Sequence, residues 1–147
     1  MPGPTTRRCI RCTLALLAII PASGCGRSPI TSARIETSIA LTFANLVHLQ
    51  VSWLGLPPTA ASDFAVKASC RRLAGSSAGS GEWVCMLLWR SPQRQTLSDT
   101  YDLFVATDGC YTATVSGDSL GGPTLKTSDG RDVRNLLYTF EGCFDTT

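Results

Sequence analysis

Four cysteines constrain the fold of this 147-residue chain more than any other feature of its sequence. Cys70, Cys85, Cys110 and Cys143 are separated by 14, 24 and 32 intervening residues. Zinc sites usually present their cysteines in close pairs, so this spacing argues against a metal. In an exported chain, four such cysteines indicate two disulfides. Of the three pairings, we favour Cys70–Cys85 with Cys110–Cys143, because each closes a local loop between neighbouring elements.

The first 24 residues predict that the chain is exported. Arg7, Arg8 and Arg11 form a positively charged start, residues 12–20 are an uninterrupted apolar run, and small residues precede Cys25. A helix that spans a bilayer needs about 20 apolar residues, and this run is shorter. We therefore predict a cleaved leader rather than a permanent membrane span.

The end of the leader resembles the lipobox of bacterial lipoproteins. Ser23, Gly24 and Cys25 match the motif, and Ala22 stands where that family usually has leucine. The resemblance implies cleavage before Cys25, lipid on Cys25, and a location at the outer face of the cytoplasmic membrane. The alternative is an ordinary secretory leader with a chance cysteine nearby, which would give a secreted protein.

These features divide the chain into a signal peptide over 1–24, a lipidated tether over 25–31 and a single domain over 32–147.

Three of the 13 Lys and Arg residues precede Cys25, and all 11 Asp and Glu residues follow it, so the net charge of the mature chain is −1. The mature chain has no basic surplus that would indicate a nucleic-acid partner.

Residues 33–54 carry apolar side chains at helical spacing and predict one long helix. Ser32 is placed to cap its start, and Glu36 lies where its charge would suit the helix dipole. Gly55 and the two prolines that follow it predict the end. Residues 47–53 also alternate between apolar and polar as a strand would, which leaves the last two turns open.

Patterns of period two after these prolines predict a meander of about four antiparallel strands. The strands are expected over residues 64–70, 82–89, 100–107 and 111–115. Both faces of 82–89 are apolar, so we expect a central strand that is covered on both sides. Residues 133–140 have helical spacing instead and predict a short helical segment.

One helix on such a sheet is an α+β layer arrangement, and its order of elements resembles cystatin-like domains. The runs Asp108-Gly109-Cys110-Tyr111 and Gly142-Cys143, taken with the lipobox, are similar to small lipoproteins of high-GC Gram-positive bacteria. Those proteins are largely without an assigned activity, so this resemblance implies no catalytic residue.

The run Gly117-Asp118-Ser119-Leu120 spells the nucleophile motif of GDSL esterases, in which the serine attacks an acyl carbon. That family takes the serine's proton on a histidine near the chain end. No histidine follows Ser119, and only 27 residues follow the motif. We interpret the run as a turn.

The other candidates for catalysis or metal binding also have simpler interpretations. His48, the only histidine, lies within the predicted helix and is interpreted as an ordinary helix residue. The pairs Asp99 with Asp102 and Asp129 with Asp132 could hold a metal or form an acid/base pair. Both pairs lie beside predicted turns, where aspartate commonly bonds its own backbone, so we interpret them as solvated loop residues.

Aromatic side chains could line a ligand groove, but in a small sheet they are more often core. The residues concerned are Trp53, Trp83, Trp89, Tyr101 and Tyr111. No Walker A, GxGxxG or HExxH motif occurs, so we expect no cofactor and no catalytic set. We predict a non-enzymatic binding or scaffolding module of the cell envelope, whose partner is an envelope protein, a peptidoglycan fragment or a small ligand. A small hydrolase using Ser119 or a carboxylate and a purely structural lipoprotein are the alternatives.

Overall fold

One long helix lies across a five-stranded antiparallel sheet in the computed structural model, which describes residues 29–145. The chain forms helix α1 (Ser32–Trp53), a short 3-10 helix (Ala61–Phe64), and strands β1 (Lys67–Arg72), β2 (Gly81–Arg90), β3 (Thr96–Val105), β4 (Cys110–Val115), β5 (Thr124–Lys126), β6 (Asp132–Arg134) and β7 (Thr139–Cys143). The sheet has the order β1-β2-β3-β4-β7, while β5 and β6 pair with each other. This arrangement confirms the α+β class.

The core lies between one stripe of the helix and one face of the sheet. Alternate residues of each strand point toward the helix, as the pleat of a strand requires. The stripe recurs every four residues and consists of Ile35, Ile39, Phe43, Val47 and Val51. The largest side chains of the sheet that are fully buried against it are Trp83, Tyr101 and Leu87. In the part of the chain that the structure describes, no helix is both long and apolar enough to span a membrane.

The helix runs to Trp53, so its last two turns are helical rather than extended. Its start differs from the prediction, because Thr31 occupies the N-cap position and no side chain caps the helix. The carboxylate of Glu36 instead accepts the backbone N–H of Cys70 at 2.8 Å, and so joins the helix to β1. Gly55, with φ of 72°, takes the left-handed conformation that ends the helix.

The packed domain begins two residues before the predicted boundary at residue 32. Ile30 is buried in the core, and Thr31 forms a β-bridge with Ala78 in the β1–β2 loop. Ile30 and Thr31, which the prediction assigned to the tether, therefore pack with the domain. The signal peptide, the cleavage site and Cys25 lie outside the described residues.

The prediction that strand 82–89 is covered on both sides was wrong. β2 is central, and Trp83, Cys85, Leu87 and Trp89 are buried beneath the helix. Its other face is open, with Met86 51% exposed and Leu88 43% exposed. Residues 29–145 contain one long helix, and that helix covers only one face of the sheet.

The predicted helical segment over 133–140 was also wrong, because these residues end β6, turn, and begin β7. Asn135, which is 1% exposed, holds the turn: its side-chain amide donates to the carbonyls of Leu120 and Gly122, and its Oδ1 accepts Leu137 N–H at 3.1 Å. The apolar residues over 133–140 are three or four apart because a turn and a strand both pack against the same core, and not because they form a helix. Two strands also begin at residues other than those predicted: β1 begins at Lys67 rather than at residue 64, and β3 begins at Thr96 rather than at residue 100.

Both predicted disulfides are confirmed. Each joins residues that are directly opposite in neighbouring strands, Cys70 with Cys85 and Cys110 with Cys143. The first bond is buried beneath the helix. By strand alternation, the second lies on the opposite side of the sheet from Tyr111 and ties the edge strand β7 to β4.

Candidate functional site

The hydroxyl of Ser119 is bound to a buried carboxylate. Ser119 Oγ donates to Asp99 Oδ1 at 2.5 Å, and Trp89 Nε1 donates to Asp99 Oδ2 at 2.6 Å. Each carboxylate oxygen thus has one donor, which offsets the cost of burying a charge. Asp99 is only 4% exposed and lies within β3, so the prediction of a solvated loop residue was wrong for it.

The only histidine of the chain lies elsewhere and binds a different group. His48 Nδ1 is 2.7 Å from the carbonyl oxygen of Thr59. Because a carbonyl oxygen can only accept a hydrogen bond, Nδ1 carries the proton. The side chain of His48 is exposed and links the helix to the segment that follows it. The structure therefore does not bring Ser119 and His48 together as a hydrogen-bonded pair.

The other three aspartates of the predicted pairs each have a local partner, and Asp102, like Asp99, lies within β3 rather than in a loop. Asp102 accepts Ser116 Oγ at 2.7 Å, and Asp132 pairs with Lys126 at 2.8 Å. The hydroxyl of Thr127 and the guanidinium of Arg131 both donate to Asp129 and lower its pKa. Within residues 29–145, no group of three or more His, Cys, Asp or Glu side chains could hold a metal ion.

Of the five aromatic residues considered for a ligand groove, Trp83, Trp89, Tyr101 and Tyr111 are core residues. Phe43 packs edge-on against Trp89 and Tyr101, with ring centroids 5.3 and 5.9 Å apart. The Tyr101 hydroxyl donates to the carbonyl of Leu137 at 2.6 Å, and burial, with Asp99 nearby, raises the pKa of Tyr101. Trp53 is 49% exposed at the end of the helix.

The sequence did not predict a polar cleft at one end of the sheet, which we call the tip cleft. It encloses about 580 Å³ between the segment that follows the helix and the turn from β2 to β3. Its polar lining comes from both walls and includes Thr59, Ser62, Asp63, Arg90, Ser91 and Arg94. Volumes of about 300–1,000 Å³ are typical of sites for small ligands.

Three charged side chains of the tip cleft are not paired with one another. Arg90 and Arg94 lie on one wall and Asp63 on the other, and all three are exposed. The two ion pairs found among residues 29–145 lie elsewhere, at Lys126–Asp132 and Arg131–Asp129. No side-chain hydrogen bond in that range involves Asp63, Arg90 or Arg94. Charges of both signs are therefore available to a bound molecule.

Two residues of the tip cleft have an uncommon backbone conformation. Within the described range, Ala65 and Arg94 are the non-glycine residues with positive φ, at 47° and 63°. This left-handed region costs an L-residue about 1–2 kcal/mol. Ser91 helps to hold the turn, because it exchanges backbone and side-chain hydrogen bonds with Gln95. Such conformations concentrate at ligand sites, which agrees with the polar lining.

Comparison with known proteins gives no match among protein-family models, curated proteins or solved structures. The likenesses to cystatin-like domains and to lipoproteins of high-GC Gram-positive bacteria therefore stay predictions. The function must be argued from the residues of this chain.

Proposed function

We propose that this protein is a lipid-anchored module of the cell envelope that binds a small ligand in the tip cleft. The observation that carries the proposal is the set of three charges in that cleft, Arg90, Arg94 and Asp63, which have no side-chain partner within residues 29–145. The two disulfides support a location outside the cytoplasm, because disulfides form and persist in oxidising compartments.

The charges of the tip cleft suit a ligand that carries both signs. A guanidinium binds a carboxylate through two parallel hydrogen bonds, which Arg90 and Arg94 can each supply. The carboxylate of Asp63 can accept hydrogen bonds from an ammonium group. An amino acid or a short peptide with free ends presents both groups and fits a cleft of about 580 Å³.

The position of the tip cleft also suits a ligand of the envelope. If Cys25 is lipidated, the five residues to Ile30 reach at most about 18 Å from the membrane. Ile30 lies beside the start of β2, since Gly79 donates to its carbonyl at 2.8 Å. Arg90 ends β2, whose 10 residues extend over about 33 Å. The tip cleft is thus at the far end of the domain from the anchor.

The anchor is tested by the change Cys25→Ala in the native host. We expect the protein to leave the membrane fraction, because the thioether that carries the lipid can no longer form. The wild-type protein extracted from membranes should have an intact mass that begins at Cys25 with diacylglyceryl added. Cys12→Ala, within the leader, is the matched control and should stay membrane-bound. A Cys25→Ala protein that remains in the membrane would contradict the anchor.

Ligand binding is tested by calorimetric titration of the purified protein with the dipeptide alanylalanine. We expect binding that weakens at least about tenfold in Arg90→Ala and in Arg94→Ala, the loss expected for one charge-assisted hydrogen-bond pair. N-acetylation or C-amidation of the peptide should weaken binding similarly. Arg134→Ala, an exposed arginine on β6 outside the tip cleft, is the control and should bind as wild type does. Binding that is absent, or equal in all variants, would remove the tip cleft as the site.

A further inference from the structure

The face of the sheet turned away from the helix, which we call the outer face, carries a strip of exposed apolar side chains. Leu73, Met86, Leu88 and Phe104 are 49%, 51%, 43% and 63% exposed, and Val84 lies among them. A shallow concavity of about 350 Å³ opens between Leu73 and Phe104. An antiparallel sheet with one solvated face normally makes that face polar, so this strip calls for a partner.

Strand register places these residues in two adjacent rows across β1, β2 and β3. One row is Arg71, Val84 and Asp102. The next is Leu73, Glu82 and Phe104, since Leu73 N–H donates to the carbonyl of Glu82 at 3.0 Å. Met86 and Leu88 continue the apolar strip along β2. On the outer face, β1 therefore carries Lys67 and Arg71, the middle of β2 is apolar between Glu82 and Arg90, and β3 carries Asp102.

We propose that the outer face binds a second copy of this chain, in a two-fold symmetric dimer whose axis runs along β2. This axis lays β1 of each copy over β3 of the other. Arg71 then faces Asp102 of the second copy, Leu73 faces Phe104, and Met86 faces its own counterpart. The same patch serves both copies, as an isologous interface requires.

The apolar contacts select this axis over the alternative. A two-fold axis across the strands would lay β1 over β1, so that Lys67 of one copy faces Arg71 of the other, which is repulsive, and Leu73 no longer faces Phe104. Along β2 the like-charge contacts are Glu82 and Arg90, each with its counterpart. Both residues lie near the ends of β2, where stacked sheets diverge because their strands cross at about 30°. Their charged groups can stay hydrated there.

The size of the outer face predicts a weak dimer. Three overlapping strands about 4.8 Å apart, over about ten residues, give a contact of roughly 15 by 30 Å. This is below the roughly 800 Å² per partner of a standard stable interface. We therefore expect a dissociation constant in the micromolar range, about 1–100 μM, with dimer formed as concentration rises.

Sedimentation equilibrium of the purified protein, from about 1 μM to 1 mM, tests the proposal. Wild type should pass from monomer to dimer, and Met86→Lys should raise the dissociation constant at least about tenfold, since it places a charge on the axis. Leu41→Lys is the matched control, because Leu41 is 64% exposed on the helix, away from the outer face. It should dimerise as wild type does.

A charge exchange gives a second test that does not depend on Met86. Arg71→Glu and Asp102→Arg should each weaken the dimer by about threefold or more, and the double variant should restore it. Near-UV circular dichroism of each variant checks that the domain is folded. A protein that stays monomeric to 1 mM, a dimer indifferent to Met86→Lys, or a double variant no better than either single one would each overturn the proposal.

Discussion

Replacing all four paired cysteines by alanine is expected to leave this domain unfolded at 37 °C. The two disulfides close loops of 15 and 33 residues, which correspond to about 3 and about 4 kcal/mol in the chain-entropy account. A natural domain has a total unfolding free energy of only about 5–15 kcal/mol. Losing both bonds therefore removes a large share of the stability, and far-UV circular dichroism at 37 °C measures the result.

The two disulfides are expected to differ in how much they contribute to stability, and loop length alone does not predict this difference. Cys70 and Cys85 are 9% and 0% exposed beneath the helix, so alanine at both positions also removes buried sulfur atoms from the core. The Cys70→Ala/Cys85→Ala variant should lose at least as much stability in urea as Cys110→Ala/Cys143→Ala, although its loop is shorter. Unchanged urea midpoints in both pair variants would contradict the stabilising role.

Phe43→Ala is expected to lower the unfolding free energy by about 3–5 kcal/mol, the usual loss for a buried phenylalanine. Phe43 is fully buried at the centre of the helix stripe and packs against the rings of Trp89, Tyr101 and Phe140. Alanine leaves a cavity beneath the helix and removes three ring contacts, each about 0.5–1.5 kcal/mol beyond the burial of area.

The matched control for this variant is Leu41→Ala, two residues away on the same helix. Leu41 is 64% exposed, so its truncation should change the unfolding free energy by less than about 0.5 kcal/mol. Urea unfolding of both variants, followed by tryptophan fluorescence, gives the comparison. Equal losses at the two positions would mean that the helix does not pack on the sheet through this stripe.

The parts of the fold that could be predicted from the sequence are those that local patterns determine. The helix has apolar residues at a constant spacing, and the Asp108-Gly109 turn carries the hairpin of β3 and β4. The Cys70–Cys85 disulfide followed from the same logic, since it joins β1 and β2, which are consecutive strands. The order of elements along the chain is enough to predict which strands pair when those strands are consecutive in the sequence.

The end of the chain could not be predicted because its partners are distant. β7 pairs with β4 across an excursion of 23 residues that includes β5 and β6. The turn before β7 is held by Asn135 and by Gln50 of the helix, whose Oε1 accepts Leu136 N–H at 2.6 Å. Apolar spacing over 133–140 is the same for a helix and for this turn and strand. Only the tertiary partners distinguish them.

The tip cleft could not be predicted from the sequence for a related reason. Its walls come from residues 58–65 and 90–94, which no motif connects. The only signal was the pair of arginines flanking a Ser-Pro turn, which a polar loop explains equally well. The exposed outer face was not predicted, because strand 82–89 is apolar on both sides and was expected to be covered on both sides. One face instead remains exposed in this chain.

The positions of the two disulfides also determine what a single cut by a peptidase does to the chain. The β1–β2 loop lies between Cys70 and Cys85, and the long excursion before β7 lies between Cys110 and Cys143. A peptidase that cuts once in either segment leaves two pieces that are still covalently joined. The turn over 91–95 lies outside both rings, so a single cut there would separate the chain into two fragments.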